Sequence, residues 1–402
     1  MNVQTCDYLI VGGGVIGLNI ARHLRHELPD AEIVVIDKET APGGHASGRN
    51  SGVIHAGFYY SADSLKARFT KVGNQQLTAY CEAKGIPINK CGKLVVAQND
   101  AELTGLDVLK ERAARNGVEL QEIDAYAAQA IEPRIKAYGG RALFSPTTSS
   151  IDPHDVLRCL VEDLKESGVS VRYGERFIRW HDGQAVTNNA VYAPGYLINC
   201  AGLYADVVAR ELGFCRDYRI LPFKGLYVYG REPHGSVRTN IYPVPDLAYP
   251  FLGVHFTVTV KGDVKVGPTA IPTLWREQYG GLSGFSLSEC VEVVARQVGL
   301  FFNSGFAFKQ LAVTELRKMS RHRLAMLAGG LVHGIDPQHF RTWGKPGIRA
   351  QLMNIRTRKL EMDFITEGDA RSFHVLNSIS PAFTCSIPLA RHIVDEVLRL
   401  QA

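Results

Sequence analysis

Nothing in this chain approaches the ~18 uninterrupted apolar residues that a spanning helix needs. No charged segment followed by an apolar one opens it, as a signal peptide would. A strand pattern begins by Tyr8, which leaves almost no room for a transit peptide. The eight cysteines form no Cys-x-x-Cys pair, and no Cys/His cluster has zinc spacing. Free thiols in a reducing compartment are expected, and no metal site. Long basic blocks are missing too. With 45 Lys+Arg against 40 Asp+Glu the net charge is only +5, so nucleic acid is not an expected partner. Internal repeats and low-complexity segments are absent, and 46% hydrophobic with 21% charged residues excludes a disordered or collagen-like chain. The 402 residues predict two or three domains. A cytoplasmic location is expected. The tightest basic cluster, Arg317, Lys318, Arg321, His322 and Arg323, reads as a solvated helix face. Its competing reading is peripheral contact with an anionic surface, an inner-membrane association.

What is present concentrates at the amino terminus. Tyr8-Leu9-Ile10-Val11 suits a strand buried on both faces, and a helix pattern runs from Val15 to Arg25. Between them lies G-x-G-x-x-G at Gly12, Gly14 and Gly17. The next strand, Glu32 to Asp37, ends in an acid 20 residues after Gly17. Gly12 permits the tight turn, Gly14 lets backbone approach a pyrophosphate, and Gly17 allows close helix–strand packing. The helix start, with the amides of Val15 and Ile16, favours the phosphate charge. Asp37, with Lys38 beside it, suits the ribose hydroxyls.

The segment that follows separates FAD from NAD. An NAD domain would proceed to another helix, whereas Gly43 to Gly52 is dense in glycine and small polar residues. Ser47, Arg49, Asn50, Ser51, Gly52 and Val53 offer donors to a second stretch of diphosphate and ribityl chain. The run Arg49 to Tyr60, RNSGVIHAGFYY, resembles the flavin loop of the L-2-hydroxyglutarate dehydrogenase/oxidase family, within the D-amino-acid-oxidase-like flavoproteins. Further resemblances follow in order: Lys90 to Ala97, Leu221 to Gly225, Asn240 to Asp246, Pro250 to Thr257, Gly347 to Gln351, and Ser380 to Ala382. Two stretches depart from that pattern: 350–373 is more basic, and Asn377 to Pro381 has no glycine before the helix.

The expected fold is α/β. A discontinuous, Rossmann-like FAD domain (1–85, 146–215, 345–402) carries an α+β substrate domain (86–145, 216–344) on a mainly antiparallel sheet. Asp152 and Pro153 predict a helix start. Val169 to Tyr173 and Tyr196 to Gly202 predict strands, the second placing Ala201 and Gly202 at another turn near the diphosphate. Val258 to Val266 predicts a hairpin through Gly262-Asp263, and the last helix is expected over about Thr384 to Leu400. The loop with Ser380, Pro381 and Ala382 precedes that helix, whose start favours negative charge at the flavin.

The resemblance implies oxidation of a five-carbon 2-hydroxy diacid, L-2-hydroxyglutarate, to 2-oxoglutarate by hydride transfer to flavin N5. Arginine matches a carboxylate bidentately, and Arg349, in Gly347-Ile348-Arg349, is the candidate; a surface arginine is the competing reading. His55 is the favoured base for the hydroxyl proton, against a histidine that only positions, or covalently carries, the ring. His255 is the rival base, expected to share a face with Phe251 and Thr257. Lys224 suits the distal carboxylate or flavin N1. Tyr242 and Tyr249 are hydroxyl donors or packing residues. The reoxidant is oxygen or a membrane quinone. A different 2-hydroxy acid, an amine of the glycine or sarcosine type, and a non-catalytic dinucleotide-binding subunit stand as alternatives. A glycerol-3-phosphate type of reaction needs a phosphate-binding cationic cluster, which the sequence does not place.

Overall fold

The computed structural model describes residues 3–231, 236–246, 251–304 and 308–402. Tyr249 lies outside the described residues. The chain divides into two compact units: Met1–Asn50, Pro153–Pro222 and Arg349–Ala402 form one, and Ser51–Asp152 and Phe223–Ile348 the other.

The first unit is built on a sheet whose central strands are parallel. Val3–Val11 lies between Val191–Asn199 and Ile33–Asp37, and Ser170–Tyr173 pairs beyond the latter. Ser372–Asn377 adds parallel to Val191–Asn199, and Ile365–Gly368 closes that edge antiparallel. Leu9, Ile10, Val34, Val35, Leu197 and Ile198 are fully buried because helices leave the middle of the sheet no wet face. Each such side chain contributes about 1.5–3 kcal/mol. The helix Val15–Glu27 joins the first two strands and packs on Pro153–Glu166 and on Ser386–Gln401. The second strand begins at Ile33, and the strand expected to reach Gly202 ends at Asn199, leaving Gly202–Tyr204 as a short 3-10 turn.

The second unit carries an eight-stranded sheet. Its pairings are antiparallel except for Asn240–Pro243, which runs parallel to Lys93–Val96. The expected hairpin pairs His255–Val258 with Val264–Gly267. Residues 51–85, expected with the first unit, pack in this one. The amide of Asn74 donates to the carbonyls of His55 (3.1 Å) and Thr147 (3.0 Å), and that of Asn116 to Gly57 and Tyr60 (3.0 Å each). The basic cluster does not lie on one helix: Phe308–Arg317 stops, and Arg321–Ala328 starts afresh with Ser320 as its cap.

Candidate active site

In the first unit the glycine turn is shaped by backbone. Gly12 has φ +115°, and a Cβ there would lie 2.3 Å from the Cys200 carbonyl oxygen. A Cβ on Gly17 would lie 2.0 Å from the Gly12 oxygen, and one on Gly14 would lie 2.9 Å from Ser47 Oγ. The two contacts with backbone oxygens cannot form, so glycine is required at 12 and 17, whereas at 14 the Ser47 side chain would have to move. The Gly13 amide donates to Asp37 Oδ2 and the Glu39 amide to Asp37 Oδ1, each at 2.8 Å, which fixes the carboxylate at the strand end. Gly14 brings no capping side chain to the helix; Ser47 Oγ accepts from the Val15 amide at 3.0 Å. Arg49 Nε donates to the Gly44 carbonyl (2.6 Å) and the Asn50 amide to that of Ser47 (2.8 Å), folding the loop on itself. Lys38 pairs with Glu39, as does His45. The Ala201 amide donates to Asn199 Oδ1 at 3.1 Å in the next strand-to-helix turn. A helix start ringed by glycines, with an anchored acid at the neighbouring strand end, fits an adenine dinucleotide. Ser380, Pro381 and Ala382 form the turn ahead of the last helix, which begins at Ser386 rather than Thr384. Ser386 Oγ is buried there with no hydrogen-bond partner. Arg349, part-buried, leads this unit's third segment.

In the second unit the functional groups come from strand alternation. Leu94, Val96, Ile241, Phe256, Val258, Val264 and Val266 form one apolar cluster. Side chains two residues apart share a face of a sheet. Lys93, Asn240, Tyr242, His255, Thr257 and Lys265 therefore stand on the opposite one, and all are buried. The rings of Tyr242 and His255 stack at 3.7 Å. Lys93 Nζ sits 4.2 Å from the centre of the Tyr242 ring and 5.1 Å from that of Tyr59. It also lies 3.5 Å from His55 Nδ1. Two histidines 200 residues apart in sequence thus meet one lysine and one tyrosine.

Burial dominates their electrostatics. It pushes the Lys93 ammonium down to about 7, with Cys91 opposing. His55 is held well below the usual histidine value by burial, then by Lys93 and by His255. Burial holds the Tyr242 hydroxyl well above the ordinary phenol value, and brings Lys265 down to about 8. His255 Nδ1 is 2.8 Å from the Gly253 carbonyl oxygen. A carbonyl only accepts, so Nδ1 carries the proton and Nε2 keeps its lone pair.

Lys93 is the residue that sequence reasoning passed over. Its signal was a cation opening the otherwise apolar strand Lys93–Val96, which is buried throughout, Lys93 included. Lys224 lies on a different sheet, where Tyr218–Gly225 pairs with Ile271–Pro272; it is half-buried, and burial lowers its ammonium pKa. Phe251 precedes the strand that starts at His255 and packs its ring at a tilt on Phe223, centroids 4.9 Å apart, so it does not continue the His255 face. Ser51, Gly52 and Val53 fall in the second unit, where the Gly52 carbonyl accepts from Ile151 N at 2.8 Å.

The doubly wound sheet and its glycine cradle define a dinucleotide-binding α/β protein, and the buried imidazole–amine cluster adds the means to move a proton. A model of the FAD dependent oxidoreductase (DAO) family matches residues 7–396, and the chain belongs to that family. The L-2-hydroxyglutarate dehydrogenase of Escherichia coli (strain K12) is 35% identical over 410 residues, covering 98% of this chain and 94% of that protein. The mitochondrial L-2-hydroxyglutarate dehydrogenase of Homo sapiens is 35% identical over 425 residues, covering 98% and 89%. Among solved structures, the L-alpha-glycerophosphate oxidase of Mycoplasma pneumoniae with FAD bound superposes with a TM-score of 0.77 over 98% of this chain and 95% of that one. Its 23% identity carries the fold alone.

Proposed function

We propose that this chain oxidises L-2-hydroxyglutarate to 2-oxoglutarate, with the first unit holding FAD and the second presenting the reductant. The observation that carries the chemistry is the Lys93 amine 3.5 Å from His55 Nδ1 in a buried site. The names of the relatives that match 98% of the chain support the substrate. Bound FAD supplies a two-electron acceptor for the hydride that leaves the hydroxyl-bearing carbon. His55 takes the hydroxyl proton on Nε2. For that, Nδ1 carries a proton that the neutral Lys93 amine accepts, and burial has brought that amine close to neutrality at pH 7. The second product of the step is then a lysine ammonium, beside which the carboxylates of the acid are favoured. His255, its tautomer set by the Gly253 carbonyl, is the rival base: its Nε2 is the alternative acceptor for the same hydroxyl proton. Arg349 binds the carboxylate next to the reacting carbon bidentately, and Lys224 the distal one.

In the cradle, Asp37 receives the ribose hydroxyls. The amides of Val15 and Ile16 and those of the 47–53 loop meet the diphosphate. The Ala201-Gly202 turn and Ser380 to Ala382 complete the pocket.

The visible spectrum of the pure protein under anaerobic conditions tests the reading. L-2-hydroxyglutarate should bleach the flavin band, and glycine, sarcosine and glycerol 3-phosphate should not. Bleaching by an amine alone would replace the substrate, and a colourless protein that binds NAD but not FAD would end the proposal.

A further inference from the structure

Lys265 is a buried ammonium without a counterion. It lies between Val264 and Val266 of the apolar cluster, so its side chain leaves from the opposite face of the sheet. The residue is only 7% exposed. A lysine ammonium has three N–H donors to satisfy. Among the described residues it makes no hydrogen bond or ion pair, and Asp152 is the acid whose charge reaches it from farther off. Its Nζ sits 5.0 Å from the centre of the Tyr227 ring. A ring face holds a cation less firmly than a carboxylate does and leaves the N–H donors unused. Burial brings the Lys265 pKa down to about 8, so the amine keeps its charge at neutral pH, whereas Lys93, at about 7, is divided between its two forms. An enclosed charge without a partner is unfavourable, and an incoming anion relieves it.

The strand register places this charge beside the imidazole–amine cluster. Lys93 pairs with Asn240, and Thr257 pairs with Lys265. The Ile241–Phe256 pair sets Asn240 opposite Thr257. The four residues make one row across four neighbouring strands, with the two lysines at its ends. Their Cα atoms are about 14 Å apart, since strands lie roughly 4.8 Å apart. Asn240, inside the row, is committed to the protein: its amide donates to the Gly92 carbonyl at 3.0 Å, and its Oδ1 accepts from the Val258 amide at 3.1 Å. The strand of His255 lies between those of the two amines, and the Tyr227 ring is 6.5 Å from that of His255. Lys224 is tied to the same corner. Thr269 Oγ1, four residues beyond Lys265, donates to the Lys224 carbonyl at 2.9 Å and accepts from the Leu226 amide at 3.0 Å.

We propose that Lys265 is the residue that makes the site select a dicarboxylate: with Lys224, it holds the carboxylate farther from the reacting carbon. The inference rests on the dicarboxylate reading above and names the group that enforces it. Lys224 is half-buried and keeps part of its hydration, so losing its anion costs it little. Lys265 has no such reserve. An acid with one carboxylate leaves its buried ammonium unpaired, while a diacid pairs it, and discrimination by a buried polar group left unmatched is the strong kind.

The test uses the FAD-loaded full chain. Turnover of L-2-hydroxyglutarate is compared with that of L-2-hydroxypentanoate, which carries a methyl group in place of the distal carboxylate. Glutarate, a diacid with no hydroxyl to oxidise, is titrated against the flavin spectrum. Lys265→Met should raise KM for L-2-hydroxyglutarate and Kd for glutarate roughly 100-fold, with kcat changed less than about threefold. Its turnover of the monoacid should be equal or better. Its melting temperature should not fall, because the variant removes an unpaired buried charge. Lys265→Arg, which keeps the charge, should retain most of the preference for the diacid. An unchanged diacid-to-monoacid ratio of kcat/KM in Lys265→Met overturns the proposal, as do equal losses for both acids. Loss of the preference in Lys224→Met but not in Lys265→Met also overturns it. Should L-2-hydroxyglutarate leave the flavin of the natural chain oxidised, the substrate reading fails separately, and the glutarate titration still decides whether Lys265 holds a carboxylate.

Discussion

Each unit buries a histidine on a strand or beside one, and the two are kept for different ends. In the first unit, His374 is fully enclosed on Ser372–Asn377. Ser372 Oγ lies 3.1 Å from one ring nitrogen and the Asn199 amide nitrogen 3.2 Å from the other, and the tilted Phe214 ring packs with its centroid 4.6 Å away. Burial brings its pKa down to about 4. Asp369 opposes that shift only in part. In the second unit, His55 is buried too, but its neighbour is an amine brought down to about 7, and the charge of His255 reaches it as well. Burial alone leaves a histidine neutral; burial beside an amine that is itself brought toward neutrality gives its proton a place to go, as the proposed reaction requires. The same contrast holds for the sheets. The first works through backbone amides around glycines, while the second works through side chains on one face.

The largest expected effect falls on the cradle. Gly12→Ala places a Cβ against the Cys200 carbonyl and should abolish FAD binding, read as the ratio of flavin to protein absorbance, with a stability loss of about 3 kcal/mol or more by thermal melt. Retained stoichiometric flavin would take the turn out of the cofactor site. Next, His55→Gln should lower kcat by roughly 100- to 10,000-fold with FAD retained. His255→Gln should cost about tenfold, mostly in KM. The reverse order in stopped-flow flavin reduction would move the base to His255. Arg349→Ala should raise KM about 100-fold with the flavin bound, and Arg349→Lys should restore little of it, because a point charge cannot replace the planar fork. Normal affinity in either variant would return Arg349 to the surface.

Lys93→Met sharpens the proton-transfer reading. In the natural chain the folded state releases the Lys93 proton near pH 7 and the unfolded state near the ordinary lysine value of 10.5. Between the two, the unfolded chain holds more protons, so stability rises with pH through that window. The methionine variant should lose this rise and gain most in stability below pH 7, while turnover falls. The smallest effect belongs to His374→Gln. The natural chain should lose stability as pH falls from 6.5 toward 4, at most ~1.4 kcal/mol per pH unit, because the unfolded imidazole protonates first. The variant should flatten only that limb in urea titrations and leave turnover unchanged.

The glycine turn, Asp37 and the strands on either side were legible from spacing, since each role is local and only glycine satisfies a close backbone approach. The hairpin at Gly262-Asp263 was legible for the same reason, as was the mainly antiparallel second sheet. The residue 51–85 boundary was not. It depends on Asn74 and Asn116 reaching carbonyls far along the chain. Nor was Lys93, whose neighbours His55, Tyr242 and His255 are 38, 149 and 162 residues away.

Amino-acid order alone determined the dinucleotide cradle and the family, because those depend on residues within one βαβ unit and on runs of identity that survive without a fold. The tertiary structure decided which imidazole meets an amine and which amine is left without a counterion. Proton affinity depends on solvent exclusion by distant segments, and a buried charge is paired or unpaired according to what the strand register brings beside it.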